Sequence, residues 1–101
     1  MFIRSGFNVY PAEVEAVLNA FPAIERSAVV GRPERDGNEE IVAYVELRHG
    51  ATLDDSALRL HLREHLAPYK QPSVIRTVTG FPMTGSGKVL KRKLLEMHPP
   101  A

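Results

Sequence analysis

The chain contains no cysteine. That absence excludes disulfides, thiolate zinc sites and a cysteine nucleophile. Neither sign of charge is in excess: 13 Lys and Arg against 12 Asp and Glu leave a net charge of +1. No global field therefore draws a polyanion, and any anion binding has to be local. No apolar run approaches the roughly 20 residues that span a bilayer, and the N-terminal MFIRSGFNVYP lacks a basic-then-apolar signal layout. These absences lead to the expectation of a soluble, cytoplasmic protein with no membrane span and no nucleic-acid partner. Length adds a further limit, because 101 residues make a single domain, 1–101, with one modest core and little room for a deep catalytic cavity. Hydrophobic residues at 44% and charged residues at 25% are ordinary for a globular domain.

What is present reads as alternating short elements. MFIRS predicts a short strand, followed by turn chemistry at Gly6 and Asn8. Pro11 suits the first turn of a helix on which Val14, Val17, Leu18 and Phe21 form one apolar stripe, with Glu13 and Glu15 near the positive end of its dipole and Pro22 as a stop. Ile24 to Arg32 predicts a strand, Asp36-Gly37 a turn, and Ile41 to Leu47 a second strand with Ile41, Ala43, Val45 and Leu47 on one face. Thr52 with Asp55 resembles a capping box, and Leu58, Leu62 and Leu66 continue an apolar row until Pro68 and Pro72. Val74 to Val78 predicts a third main strand, Gly80 to Gly87 a loop, and Val89 to Met97 a C-terminal helix. The expected fold is α+β: a small mixed or antiparallel sheet of about three main strands covered by helices, with a short N-terminal hairpin and a C-terminal lysine loop.

Four constellations carry the chemistry. In FPMTGSGKVLKRKL, Phe81 to Leu94, a glycine-punctuated loop presents Lys88 ahead of a basic segment. It superficially resembles a phosphate-cradling loop, but the GxxxxGK[ST] pattern fails at Pro82 and again at Val89. Ser86, Gly87 and Lys88 remain as a movable cation on a flexible hairpin, against the plainer reading of a solvated loop lysine. In HLREH, His61 and His65 share a helix face as in inverted zinc peptidases; a third ligand is lacking, so packing or solvation is the expected role and no metal is assigned. Lys88, Lys91, Arg92 and Lys93 form a basic cluster without interleaved aromatics, which suits a solvated helix face, then a small phosphorylated ligand, ahead of nucleic acid. Glu39-Glu40 and Asp54-Asp55 fit turn and cap chemistry.

Three segments of the chain, taken together and in order, resemble one family. IRSGFNVYPAEVE (Ile3 to Glu15), LAPYKQP (Leu66 to Pro72) and PMTGSGKVLKRKL (Pro82 to Leu94) are similar to the eighth, ninth and tenth core motifs of the adenylate-forming enzymes: acyl-CoA synthetases, aryl-CoA ligases, luciferases and peptide-synthetase adenylation domains. The chain resembles their small, mobile C-terminal domain.

The resemblance implies a two-step reaction, in which a carboxylic acid attacks the α-phosphate of ATP to give an acyl-adenylate and coenzyme A then displaces AMP. It implies that Lys88 is the catalytic lysine of the first step and that Ser86 and Gly87 beside it contact the nucleotide. Ser5, Gly6, Phe7 and Asn8 match the loop that borders the pantetheine tunnel in the second step, although many relatives carry Gly-Gly where this chain has Ser5-Gly6. The phosphate loop, acyl pocket and hinge of the family are expected upstream, on a large N-terminal domain that also binds the Mg2+ accompanying ATP. An isolated C-terminal domain is then expected to be inactive. A fatty or aryl acid is the expected substrate. The stretch PxxxxGK, Pro82 to Lys88, is also similar to the pattern read by bacterial protein acetyltransferases, which makes such an enzyme an expected partner at Lys88. The competing class is a freestanding nucleotide- or partner-binding module without catalysis of its own.

Overall fold

Five consecutive residues, Ile41 to Val45, are all buried. Successive strand side chains point to opposite faces, so such a run requires a strand covered on both sides. The computed structural model describes residues 2–4, 7–33 and 39–99; Ser5, Gly6 and the turn expected at Asp36-Gly37 lie outside the described residues. The chain runs β1 (Phe2–Arg4), β2 (Phe7–Val9), α1 (Pro11–Asn19), β3 (Ile24–Pro33), β4 (Glu39–Leu47), α2 (Asp55–His65), a 3-10 turn (Pro68–Lys70), β5 (Val74–Thr77) and α3 (Lys91–Met97). The main sheet has three strands in the order β3-β4-β5, and β1 and β2 form a separate hairpin. Its central strand, β4, pairs antiparallel with β3 and parallel with β5. The parallel pair needs a crossover, which the α2 segment supplies. The α+β class and the three main strands are those expected from the sequence; of the mixed and antiparallel sheets left open there, the structure has the mixed one.

Each face of the sheet has its own core. Ile41, Ala43 and Val45 of β4 pack with Val29, with Val14 and Leu18 of α1, and with Leu58 and Leu62 of α2, and Leu47 joins them. Val42 and Tyr44 face the other way, with Ala28, Val30, Val78 and Leu94 of α3. The one-face alternation expected of this strand therefore holds for its odd-numbered residues and misses that α3 closes the second face. Tyr44 is fully buried, and its hydroxyl donates to the His98 carbonyl at 2.6 Å, tying the end of α3 to the sheet.

Local signals place the helices, with three corrections. First, Asn8 is not a turn residue. It pairs with Ile3 in the β1–β2 ladder, whose register sets Arg4 opposite Phe7. Second, α2 is capped by Asp54, not by Thr52: the Asp54 carboxylate accepts from the Ala57 N–H at 3.1 Å. That choice places Leu53 just before the cap and Leu58 in the first turn, both against the same core, as in a hydrophobic staple. Third, α3 begins at Lys91 instead of Val89, because Val89 forms a β-bridge with Met83 and the Leu90 N–H donates to the Pro82 carbonyl at 2.8 Å.

Residues 82–90 thus form a small hairpin. Thr84 N–H donates to the Lys88 carbonyl at 2.8 Å, and Gly87 N–H to the Thr84 carbonyl at 2.9 Å. Gly87 sits at φ +88°, the left-handed third position of a three-residue loop. Gly85 has no such conformation and open space around it.

Two predictions follow from this packing. Gly87→Ala meets no steric obstacle yet adopts a left-handed backbone, so it costs about 1 kcal/mol of stability, whereas Gly85→Ala stays within about 0.5 kcal/mol; urea unfolding of the two variants distinguishes them. For Tyr44, burial raises the phenol above its ordinary range, with Arg76 and Arg32 opposing. The folded state then holds this proton more tightly than the unfolded state, so the contribution is complete below about pH 10 and is lost as pH rises through the folded value. Tyr44→Phe is expected to cost about 1 kcal/mol at pH 7 and to show a shallower alkaline loss than the parent in unfolding curves.

Candidate functional site

The Lys88 hairpin is built so that its shape is internal. Besides the backbone bonds at its tip, the Lys88 N–H donates to Thr84 Oγ1 at 3.1 Å, and that hydroxyl meets Ser86 Oγ at 2.9 Å. Thr84 therefore organises the turn from within, a role not assigned to it from the sequence; its signal is a threonine four residues before the lysine. The Lys88 side chain is exposed, and among the described residues its ammonium has neither an ion-pair nor a hydrogen-bond partner. An unopposed cation on a short hairpin suits an anion brought from outside the domain.

The surroundings of this lysine are cationic and apolar together. Arg92 and Lys93 are exposed. Lys91 is not part of a freely solvated face: its ammonium pairs with Glu15 Oε2 at 2.8 Å. An open concavity of about 480 Å³ runs along Lys88 to Lys93 and Glu96. Leu90 and Met83, on the two arms of the hairpin, are also exposed.

A second group of candidate residues gathers elsewhere. Phe7, 56% exposed, stacks on Tyr69 with ring centroids 4.7 Å apart. Lys70 pairs with Glu13 at 2.7 Å, a hydrogen bond that raises the lysine pKa above its ordinary value, and lies 5.6 Å from the Tyr69 ring. The turn carrying Tyr69 is itself held down: Gln71 Nε2 donates to the Leu66 carbonyl at 3.1 Å, and Arg59 to the Pro72 carbonyl at 2.8 Å. Asn8 is exposed beside this group, and Ser5 and Gly6 are outside the described residues. Tyr69 was not picked out as a site residue from the sequence, although its motif was.

The structure brings Phe7 to Tyr69 but not to Lys88. Among the described residues no hydrogen bond, ion pair or ring contact joins the two groups. Val9, next to Phe7 and Asn8, belongs to the α1–α2 core, whereas Val89, next to Lys88, packs on the α3 core across the sheet. Ser86, Gly87 and Lys88 remain together at one hairpin tip.

The histidine pair has packing partners. His61 Nε2 lies 2.7 Å from the Val17 carbonyl, which can only accept, so that nitrogen carries the proton. His65 Nδ1 lies 2.8 Å from the His61 carbonyl. Of the paired acids, Asp54 caps α2, and Glu40 accepts from Arg32 Nε at 3.0 Å and from Ser73 Oγ at 3.1 Å.

Comparisons with known proteins agree with this architecture. The family model described as AMP-binding enzyme C-terminal domain matches residues 13–88. The 2-succinylbenzoate–CoA ligase of Geobacillus kaustophilus is 41% identical over 99 residues, covering 98% of this chain and 20% of that ligase. The long-chain-fatty-acid–CoA ligase of Bacillus subtilis is 40% identical over 96 residues, covering 95% of this chain and 17% of that enzyme. Among solved structures, ATP-bound MatB from Rhodopseudomonas palustris is similar with a TM-score of 0.86 and 38% identity, over 95% of this chain and 19% of that one. The chain thus spans only about a fifth of the length of these relatives. The agreement of three ordered motifs, the mixed sheet and the family model leads to one conclusion: the chain belongs to the AMP-binding enzyme C-terminal domain family.

Proposed function

We propose that this domain is the small, mobile part of an acid–CoA ligase and that Lys88 acts in the first of its two half-reactions. In that step a carboxylate oxygen attacks the α-phosphorus of ATP, a new O–P bond forms, and the bond to the leaving pyrophosphate breaks. Two anions must approach each other. An ammonium about 4 Å from each attracts them by roughly 4 kcal/mol apiece at a partly desolvated site, against about 1 kcal/mol in open water. The unpaired, exposed ammonium of Lys88 is the observation that carries this reading. Ser86 and Gly87 at the same tip offer a hydroxyl and close backbone approach to the nucleotide.

In the second half-reaction the thiol sulfur of coenzyme A attacks the acyl carbon and AMP departs with the bonding electrons. The loop Ser5, Gly6, Phe7 and Asn8 is proposed to border the thiol's approach. The separation of the Phe7–Tyr69 surface from the Lys88 hairpin supports one face being used per step, with the domain reorienting over a large N-terminal domain. That large domain would hold the acid, most of ATP and the Mg2+ that accompanies it. Among the described residues no group of three or more His, Asp or Glu side chains is arranged for a metal. A fatty or aryl acid is the proposed substrate, in line with the names of the two ligases above.

In the full-length enzyme that carries this domain, Lys88→Ala is expected to lower acyl-adenylate formation by at least about 100-fold while leaving thioester formation from supplied acyl-adenylate within about threefold. Pyrophosphate exchange and thioester assays report the two steps separately, and equal losses would refute the assignment. A protein acetyltransferase is also proposed as a partner at Lys88, which is exposed and whose charge acetylation would remove. Incubation with such an enzyme and acetyl-CoA is expected to give an acetyl group at Lys88 by peptide mass mapping; an unmodified Lys88 sinks that partner.

A further inference from the structure

The hydrogen bonds of the Lys88 hairpin set its shape but not its direction. Direction depends on what holds its two arms to the domain. The outgoing arm passes through Leu90 into α3, whose first residue, Lys91, pairs with Glu15 of α1 at 2.8 Å. The incoming arm is steered by Arg26, which lies 6.0 Å from the Phe81 ring and pairs with Glu46 at 2.8 Å.

Glu15 does two things at once. Its Oε2 accepts from the Val29 N–H at 2.8 Å and meets the Lys91 ammonium at the same distance. Val29 lies on β3, which among the described residues is hydrogen-bonded to only one neighbouring strand, so this carboxylate occupies the open edge of the sheet. α1 packs on one face of that sheet and α3 on the other. A single carboxylate therefore joins both layers across the edge and holds the side chain of the first residue of α3, three residues after Lys88. The hairpin then acts as a lever: two extended residues and the lysine side chain span about 13 Å, so a tilt of about 10° at Leu90 moves the ammonium by about 2 Å. Displacements of that size are costly in a step that depends on the placement of two anions.

We propose that Glu15 and Lys91 form a positioning pair that aims Lys88 for carboxylate activation, an inference that rests on the role proposed for Lys88 above. The pair touches no substrate. It acts by confining the start of α3, and because Lys91 is 38% and Glu15 21% exposed, its worth is that of a partly solvated ion pair. Its loss is therefore expected to reduce the first half-reaction about fivefold, far less than loss of Lys88 itself.

The test uses the full-length enzyme that carries this domain, with both half-reactions measured. Glu15→Gln keeps an oxygen for the Val29 N–H and removes only the charge; Lys91→Met approaches the same pair from α3. Each is expected to lower kcat for adenylation about fivefold, with KM for ATP and thioester formation from supplied acyl-adenylate changed less than about twofold, and the double variant to lose no more than either single one. Glu25→Gln, in the exposed pair with Arg48, serves as the reference surface change. Equal loss of both half-reactions, additive losses, or an unchanged or faster adenylation would overturn the proposal; the faster case would mean that Glu15 merely masks the Lys91 charge. Lys88→Ala in the same series separates the two levels: if it leaves adenylation intact, the functional reading fails, and if it abolishes adenylation while Glu15→Gln and Lys91→Met do nothing, only the positioning pair fails.

Discussion

Burial of the central strand on both faces is the constraint on which the rest of this molecule depends. With Ile41 to Val45 fully enclosed, apolar cover is needed above and below the sheet, and a chain of this length supplies it with α1 and α2 on one side and α3 on the other. The segments between those elements are left to the surface. Phe7 and Tyr69 emerge from the layer of α1 and α2, and Lys88 from the approach to α3. Two chemically different surfaces on one small domain are thus a consequence of how its core is closed.

Charge is used at the margins of this core, not inside it. Among the described residues no polar or charged residue is buried, and the ion pairs lie within α2, between the neighbouring strands β3 and β4, and between layers. Glu13 and Glu15, two residues apart on α1, reach different partners: Lys70 beside Tyr69 and Lys91 beside the lysine hairpin. Helix α1 therefore touches both surfaces through two carboxylates. Lys88, like the neighbouring Arg92 and Lys93, stands outside this pattern of paired charge, and it alone of the three sits at a hairpin tip, where an unpaired cation suits an anionic partner from outside the domain.

Much of the fold was legible in the chain. The Val14–Leu18 stripe, the Leu58–Leu62–Leu66 row and the strand at Val74 are all present in the structure, since each depends on a repeat short enough to read locally. The errors fell where two local rules compete. Thr52 and Asp54 are both acceptable caps, and the packing of Leu53 decides between them. Val89 can start a helix or close a hairpin, and the Met83 bridge decides. The HLREH histidines illustrate the same limit from the other side, because spacing alone cannot reveal that His61 already meets a carbonyl of α1.

The chain alone determined the element order, the apolar stripes, the three motifs that mark the family, and Lys88 as the residue to watch, because each is encoded in residues near one another. Tertiary structure decided the matters that depend on distant residues: that β4 is covered twice, that Phe7 stacks on Tyr69, and that Glu15 reaches round a sheet edge to Lys91. Those contacts join positions 62 to 76 residues apart in the aromatic and ionic cases, a separation at which no periodicity carries information and only the closing of the core brings side chains together.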